Sequence, residues 1–330
     1  MSKQCIDCGE SMKREVNKCK GCGELLHKEC ALILDDKKVC GNCFNNSKKT
    51  SKEKIPMPDI IRRSHIDTYQ QCPYKFYLEV IKGVPVPPNP YAQVGVDLHD
   101  LFDKLSCNRI SYTKKHMLVD FNEIWSSYPD ELFKNEELKV KMRDRAETCI
   151  NNIYDEIDGL PMKPYSTEER IITSMSGVGC KISTTADRID LINGELEVLD
   201  WKTGKVMYGS KLSSDLQAPL YIHAIRTHFE KPISRFTFYY LENKGRRVFE
   251  KIDEDKYGCT VRNKTYIISI SEALREVKTI FGRIKSNAFA PGSGSQMFGV
   301  CKMCYYLESG ICNGAEIESW RKSRHDNYKL

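Results

Sequence analysis

Residues 181–202, KISTTADRIDLINGELEVLDWK, decide how the rest of the chain is read. At their centre, Asn193-Gly194 is the strongest short-range hairpin signal, because a type I′ turn needs φ > 0 at both central residues. A two-residue loop predicts the register. Ile192 faces Glu195, Leu191 faces Leu196 and Ile189 faces Val198; further out, Asp187 faces Asp200 and Thr185 faces Lys202. Side chains alternate with period two, so Asp187, Asp200 and Lys202 share a face with Ile189, Leu191, Leu196 and Val198. Opposed carboxylates about 5 Å apart repel unless a cation lies between them, and Asp187 with Asp200 therefore reads as a pair of metal ligands. A second account stands beside this one. Asp190 and Glu197 also face each other, next to Arg188, as a solvated polar face that needs no metal.

At 330 residues the chain is long enough for one large domain with a proper core and a small module beside it. With 51 Lys+Arg against 45 Asp+Glu, it permits a polyanionic partner without demanding one. No stretch approaches the roughly 20 apolar residues of a membrane span. The opening MSKQCIDCGE has no apolar signal-peptide core, so an intracellular, reducing location, cytoplasm or nucleoid, is expected. Fifteen cysteines in such a compartment point to metal or cluster binding rather than disulfides.

Near the amino terminus, Cys5-x2-Cys8, Cys19-x2-Cys22, His27-x2-Cys30 and Cys40-x2-Cys43 supply eight soft ligands, enough for two tetrahedral Zn²⁺ sites. The segment has few apolar residues, so metal must supply most of its folding energy. The ligand order resembles cross-braced RING and PHD-type fingers. That likeness implies Cys5, Cys8, His27 and Cys30 around one ion, and Cys19, Cys22, Cys40 and Cys43 around the other. Residues 45–60 then read as a lysine- and proline-punctuated linker between a 1–44 zinc module and a 61–330 domain.

Within 61–330, Asp187-Arg-Ile-Asp190 and Leu199-Asp200-Trp201-Lys202-Thr-Gly204 resemble the RecB-type branch of the PD-(D/E)XK nuclease superfamily. Gln217-x3-Tyr221 is similar to its Q-x-x-x-Y motif, Gly95-Val-Asp-Leu-His99 to its histidine motif, and SHIDTYQQCPYKFY (64–77) to its opening. The resemblance implies a restriction-endonuclease-like α/β fold, a mixed sheet flanked by helices. It implies Mg²⁺ or Mn²⁺ held by His99, Asp187 and Asp200, with Lys202 acting on the attacking water and Gln217 and Tyr221 positioning the strand. The substrate it implies is DNA entered from a single-stranded end, by an exonuclease of repair, recombination or replication. Two other classes stay open: a non-catalytic DNA-binding scaffold in a helicase–nuclease complex, and a zinc-finger interaction protein of ubiquitin-ligase or chromatin-reader type. The zinc module would serve as a dock for a helicase or for a replication or recombination protein.

Several elements surround these motifs. Ser64 is expected to cap a helix, Cys72-Pro73 to open a second, and Leu98, Leu101, Phe102 and Leu105 to mark the buried face of a third. Residues 109–165 read as mostly helical, RFTFYYL (235–241) and 247–252 as strands, and Ile270–Ile284 as a long helix behind a Ser269/Glu272 capping box. Cys301-x2-Cys304 and Cys312 need a fourth ligand, and Cys72 is the upstream cysteine inside a matching motif. This resembles the iron–sulfur staple of AddB-type and CRISPR-adaptation nucleases, and implies a [4Fe–4S] cluster on Cys72, Cys301, Cys304 and Cys312. A zinc ion on the same thiolates is the alternative. Cys107, Cys149, Cys180 and Cys259 remain as buried free thiols. The basic, aromatic tail from Trp320 either contacts a strand or is disordered.

Overall fold

A computed structural model describes residues 16–20, 25–27, 32–34, 37–39, 58–175, 179–289, 301 and 304–312, with side chains in the first 39 residues given only for 18–20. The chain forms two compact units: Met1–Pro87, Ser176–Cys180 and Arg275–Leu330 make one, and Pro88–Met175 with Lys181–Leu274 make the other.

In the first unit, β1 (Val16–Lys18) pairs antiparallel with β2 (Leu25–His27), and β3 (Leu32–Leu34) with β4 (Lys37–Val39). A short strand, β5 (Ile60–Arg62), leads into α1 (Arg63–Gln71) and α2 (Pro73–Phe76), which runs on as a π-helical turn over Tyr77–Ile81. Helix α1 starts at Arg63 with Arg62 as its N-cap, two residues ahead of the expected Ser64 cap. Pro73 opens α2 as expected, since proline's missing N–H is no loss in a first turn, and the Cys72 sulfur accepts the Lys75 N–H at 3.5 Å. Phe76 stacks on Phe289 at 6.1 Å, and the Tyr69 hydroxyl donates to the Ala288 carbonyl at 2.8 Å. These contacts tie the first helices to residues far along the chain.

The second unit begins with three helices, α3 (Pro90–Cys107), α4 (Lys114–Ser127) and α5 (Glu136–Ile157). Asn89 caps α3 by accepting the Tyr91 N–H at 2.9 Å. Leu98, Leu101, Phe102 and Leu105 recur at helical spacing and are buried with Phe121 and Ile150, against Trp201 and Tyr239 of the sheet. Next come β6 (Arg170–Ser174), β7 (Lys181–Thr185), β8 (Arg188–Ile192) and β9 (Glu195–Lys202). They are followed by α6 (Lys211–Ser214), α7 (Gln217–Phe229), β10 (Ile233–Tyr240), β11 (Gly245–Lys251), β12 (Lys256–Val261) and β13 (Lys264–Ser269); α8 (Ile270–Lys285) begins in this unit and from Arg275 belongs to the first.

A six-stranded mixed sheet runs β13-β12-β11-β10-β9-β8. Only β9 and β10 are parallel, and α7 is the crossover that such a pair requires. The fold is the expected mixed sheet flanked by helices. Asp215 begins α7, its carboxylate accepting the Gln217 and Ala218 N–H groups at 2.9 and 3.2 Å, which leaves Pro219 harmless in the first turn.

The central hairpin has the expected turn, with φ of 52° at Asn193 and 87° at Gly194, and the expected register from Arg188↔Leu199 to Ile192↔Glu195. Beyond Arg188 it departs from expectation. The ladder stops there; Thr185 pairs with Arg170 of β6 rather than with Lys202, and Asp187 lies outside both ladders. The cause is chemical. The Asp187 carboxylate accepts the Trp201 N–H in place of a backbone carbonyl, and the chain bends at Ala186–Asp187 from β8 into β7.

The polar face is also different from the solvated one expected. Arg188 and Asp190 are fully buried, with Arg188 Nε at 2.9 and 3.1 Å from the two Asp190 oxygens and Nη2 at 2.8 Å. Leu191, on the same face as Ile189, Leu196 and Val198, is 42 % exposed near the hairpin tip. The hairpin β12–β13 had no sequence assignment. Its turn uses Arg262 (φ 50°) and Asn263 (φ 64°), a positive-φ pair without the glycine that usually advertises one.

Removing one partner of a buried ion pair leaves an uncompensated charge, at a cost of about 3–5 kcal/mol. Arg188→Met should therefore lower the urea midpoint sharply, while Arg188→Met with Asp190→Leu should recover much of the loss; a single variant as stable as wild type would show that the pair carries no such weight.

Candidate active site

His99 emerges from α3 beside the buried Leu98 and Phe102, so the helix that packs the core also aims the imidazole at the end of the hairpin. Its Nδ1 lies 3.0 Å from Asp187 Oδ1. The other Asp187 oxygen is held by the Trp201 N–H, which fixes the carboxylate's orientation. Glu168 joins them from the segment ahead of β6, with a backbone φ of 47° and its N–H donated to the Ala186 carbonyl at 3.0 Å. One donor atom from each of His99, Glu168 and Asp187 lies within 4.8 Å of the others.

The electrostatics match that crowding. Burial, then the neighbouring Asp187 carboxylate, pushes Glu168 up to about 7. Burial pulls His99 down, but contact with Asp187 and the charges of Asp200 and Glu168 outweigh it and raise the imidazole to about 9. Packed this closely, Glu168 and His99 hold protons where a cation would serve better. Hard oxygens with one nitrogen are donors suited to Mg²⁺ or Mn²⁺, so the residues present fit such an ion.

Asp200 sits next to this set on β9 and is 3 % exposed. Its oxygens are already engaged, Oδ1 by the Gln217 Nε2 at 2.6 Å and Oδ2 by the Lys202 Nζ at 2.7 Å. Burial pushes it up to about 6 despite the lysine. Lys202 Nζ also donates to Gln217 Oε1 at 2.8 Å, so one amide bridges the acid and the base. Tyr221, one turn further along α7, is packed edge-on against Phe236, and its hydroxyl is raised by burial and by the Asp200 and Asp187 charges.

All six residues expected at the site, His99, Asp187, Asp200, Lys202, Gln217 and Tyr221, thus converge. Beside the expected His99, Asp187 and Asp200 the structure adds Glu168, which forms the closest group of donors with His99 and Asp187. Sequence reasoning took Glu168 only as the first residue of a strand reaching Met175, whereas β6 starts at Arg170 and leaves Glu168 in the segment ahead of it.

The cysteines divide. Cys301 is pushed up to about 11 by burial and then by the neighbouring Cys72, Cys304 and Cys312, so the four expected cluster ligands share one neighbourhood. The Cys304 N–H donates to the Cys301 carbonyl at 3.3 Å and the Cys312 N–H to the Tyr306 carbonyl at 2.7 Å, folding the three into one short turn around α9 (Tyr305–Glu308). Cys149, Cys180 and Cys259 are buried free thiols as expected; Cys107 is exposed, with Sγ 3.3 Å from Thr167 Oγ1. Of the zinc-module ligands, Cys19 is buried, while Cys5, Cys8, Cys22, Cys30, Cys40, Cys43 and the side chain of His27 lie outside the described residues, as does the tail from Trp320. Among the described residues no helix is long and apolar enough to cross a membrane.

A family model described as the PD-(D/E)XK nuclease superfamily matches residues 63–313, which span every residue of the site. No curated protein matches the chain.

Calorimetric titration with Mn²⁺ tests the donor set. Glu168→Gln and Asp187→Asn should each weaken binding by about tenfold or more, as losses at a metal site generally do; affinity unchanged by Glu168→Gln would remove it from the ligands.

Proposed function

The chain belongs to the PD-(D/E)XK nuclease superfamily, whose members are typically metal-dependent nucleases. From that premise we propose that it is a RecB-type deoxyribonuclease, an exonuclease that works from single-stranded ends in repair, recombination or replication. The observation that carries the reading is the meeting of His99, Glu168 and Asp187 with the Asp200–Gln217–Lys202 network.

In this reading His99, Glu168 and Asp187, with Asp200 beside them, would hold Mg²⁺ or Mn²⁺. The ion supplies Lewis acidity, polarising a phosphoryl oxygen and making water nucleophilic near neutral pH. Gln217 holds Lys202 in place through Oε1, and the ammonium, with one donor left after Gln217 and Asp200, orients the attacking water and offsets charge on the phosphoryl oxygens. Tyr221 and Gln217 line the strand's approach.

We extend the reading to the cysteines. Cys72, Cys301, Cys304 and Cys312 would bind a [4Fe–4S] cluster of the AddB kind, clasping the first helices to the last segment. Residues 1–44 would form a binuclear zinc module on a 45–60 linker, docking a helicase or another protein of replication or recombination.

End-labelled single- and double-stranded DNA with Mg²⁺ or Mn²⁺ tests the catalytic assignment. Asp200→Ala or Lys202→Ala should reduce cleavage to background while DNA binding persists, because the lost groups act on the reacting atoms; full cleavage by metal-loaded Asp200→Ala protein would sink it. The cluster has its own test. Protein purified without oxygen should be brown with about four irons per chain, and Cys72→Ala should bleach it. Colourless protein with an additional zinc would place zinc at these thiolates instead.

A further inference from the structure

A cavity of about 320 Å³ opens in the second unit between α3, α5 and the Thr203–Lys205 turn that leaves β9. None of its groups has a role in the chemistry described above. One stripe of α3 connects the two places, since Tyr91, Gly95 and His99 follow at intervals of four residues. His99 stands at the metal donors. Gly95 opens the cavity by lacking a side chain; a Cβ there would meet only Thr203 Oγ1, at 3.6 Å. Tyr91 stands at the rim, 52 % exposed.

The floor is apolar, formed by Val94, Leu98 and Met142, and the edge is basic. Arg145 is fixed there by Glu242 at 3.0 Å and by the Thr203 carbonyl, while Lys205 is exposed and makes no ion pair among the described residues. Apolar floor, aromatic rim and cationic edge are the features of sites that seat a single base and its phosphate. The volume is at the low end for a small-ligand pocket, enough for one nucleotide unit and no more. Thr203 follows Lys202 directly, so at about 3.3 Å per residue the cavity begins roughly 10 Å from Asp200, within reach of an adjoining nucleotide.

We propose that this cavity receives the base of a nucleotide adjoining the scissile phosphate, with Tyr91 stacking on the base and Arg145 and Lys205 on the flanking phosphate. The proposal rests on the nuclease reading and deepens it. A base that enters the cavity cannot be paired, so the site selects single strands; stacking serves every base, so it does not select sequence.

Two measurements on the full chain test this. Without added metal, calorimetry compares deoxyadenosine monophosphate with 2-deoxyribose 5-phosphate, which keeps the phosphate and lacks the base. Wild type should prefer the nucleotide by about 5- to 150-fold, the range of one base–aromatic stack. Tyr91→Ala and Gly95→Leu should erase most of that preference, and Gly95→Ala, which fits, should keep it. Equal binding of the two probes by wild type, or a preference that survives both Tyr91→Ala and Gly95→Leu, would overturn the proposal. In the second measurement an abasic residue is walked along a single-stranded substrate. Cleavage should drop by a similar factor at one or two positions beside the cut in wild type and not in Tyr91→Ala; a drop of the same size in both, or at no position, would also overturn it. Absence of cleavage by wild type with the nucleotide preference intact would refute the nuclease reading and leave a base pocket.

Discussion

The hydrogen bond from the Trp201 N–H to the Asp187 carboxylate is the contact on which the site depends. A carboxylate has taken the place of a backbone acceptor, so the ladder between β8 and β9 ends and the chain is free to turn into β7. Because it turns, Asp187 reaches His99 on α3 and Glu168 ahead of β6, which a continuous strand would have kept apart. A strand break that would otherwise cost hydrogen bonds is offset by one charge-assisted bond, which is both shorter and stronger than a neutral one.

Burying acids near one another is unfavourable unless each has partners, and the unit supplies them in two different ways. On one face of the hairpin, Arg188 satisfies Asp190 through three contacts, and the pair is structural. On the other, Asp200 is met by a lysine and an amide that leave donor capacity facing the site. Glu168 and Asp187 instead lie together beside His99 and the Trp201 N–H, and burial with the Asp187 charge pushes Glu168 up to about 7, an arrangement that a cation would relieve. The distinction between scaffold and site is a distinction in how completely each charge is paired.

Topology contributes as much as pairing. A parallel pair must be joined by a crossover, and here the crossover helix is α7. The element that makes β9 and β10 adjacent is therefore the one that lays Gln217 and Tyr221 over Asp200 and Lys202. Fold and positioning residues come from a single connection.

The sequence by itself determined whatever depends on neighbours along the chain. Asn193-Gly194 specified a turn whose positive φ angles few other residues accept, and the period of two then specified the register as far as Arg188. Helical periodicity marked the buried face of α3. The resemblance to the RecB-type motifs brought His99, Asp187, Asp200, Lys202, Gln217 and Tyr221 into one list. What the tertiary structure decided is which of them touch. Period-two reasoning assumes an unbroken ladder, and it failed at Asp187, where a side chain competed with the backbone for the Trp201 N–H. It made Arg188 and Asp190 a solvated face, although packing against the loop at Pro161 buries them. Glu168 was invisible because its partners lie 69 residues before it and 19 after it, at His99 and Asp187. Distances between groups so far apart in the chain are set by the closing of the core, and no local propensity carries them.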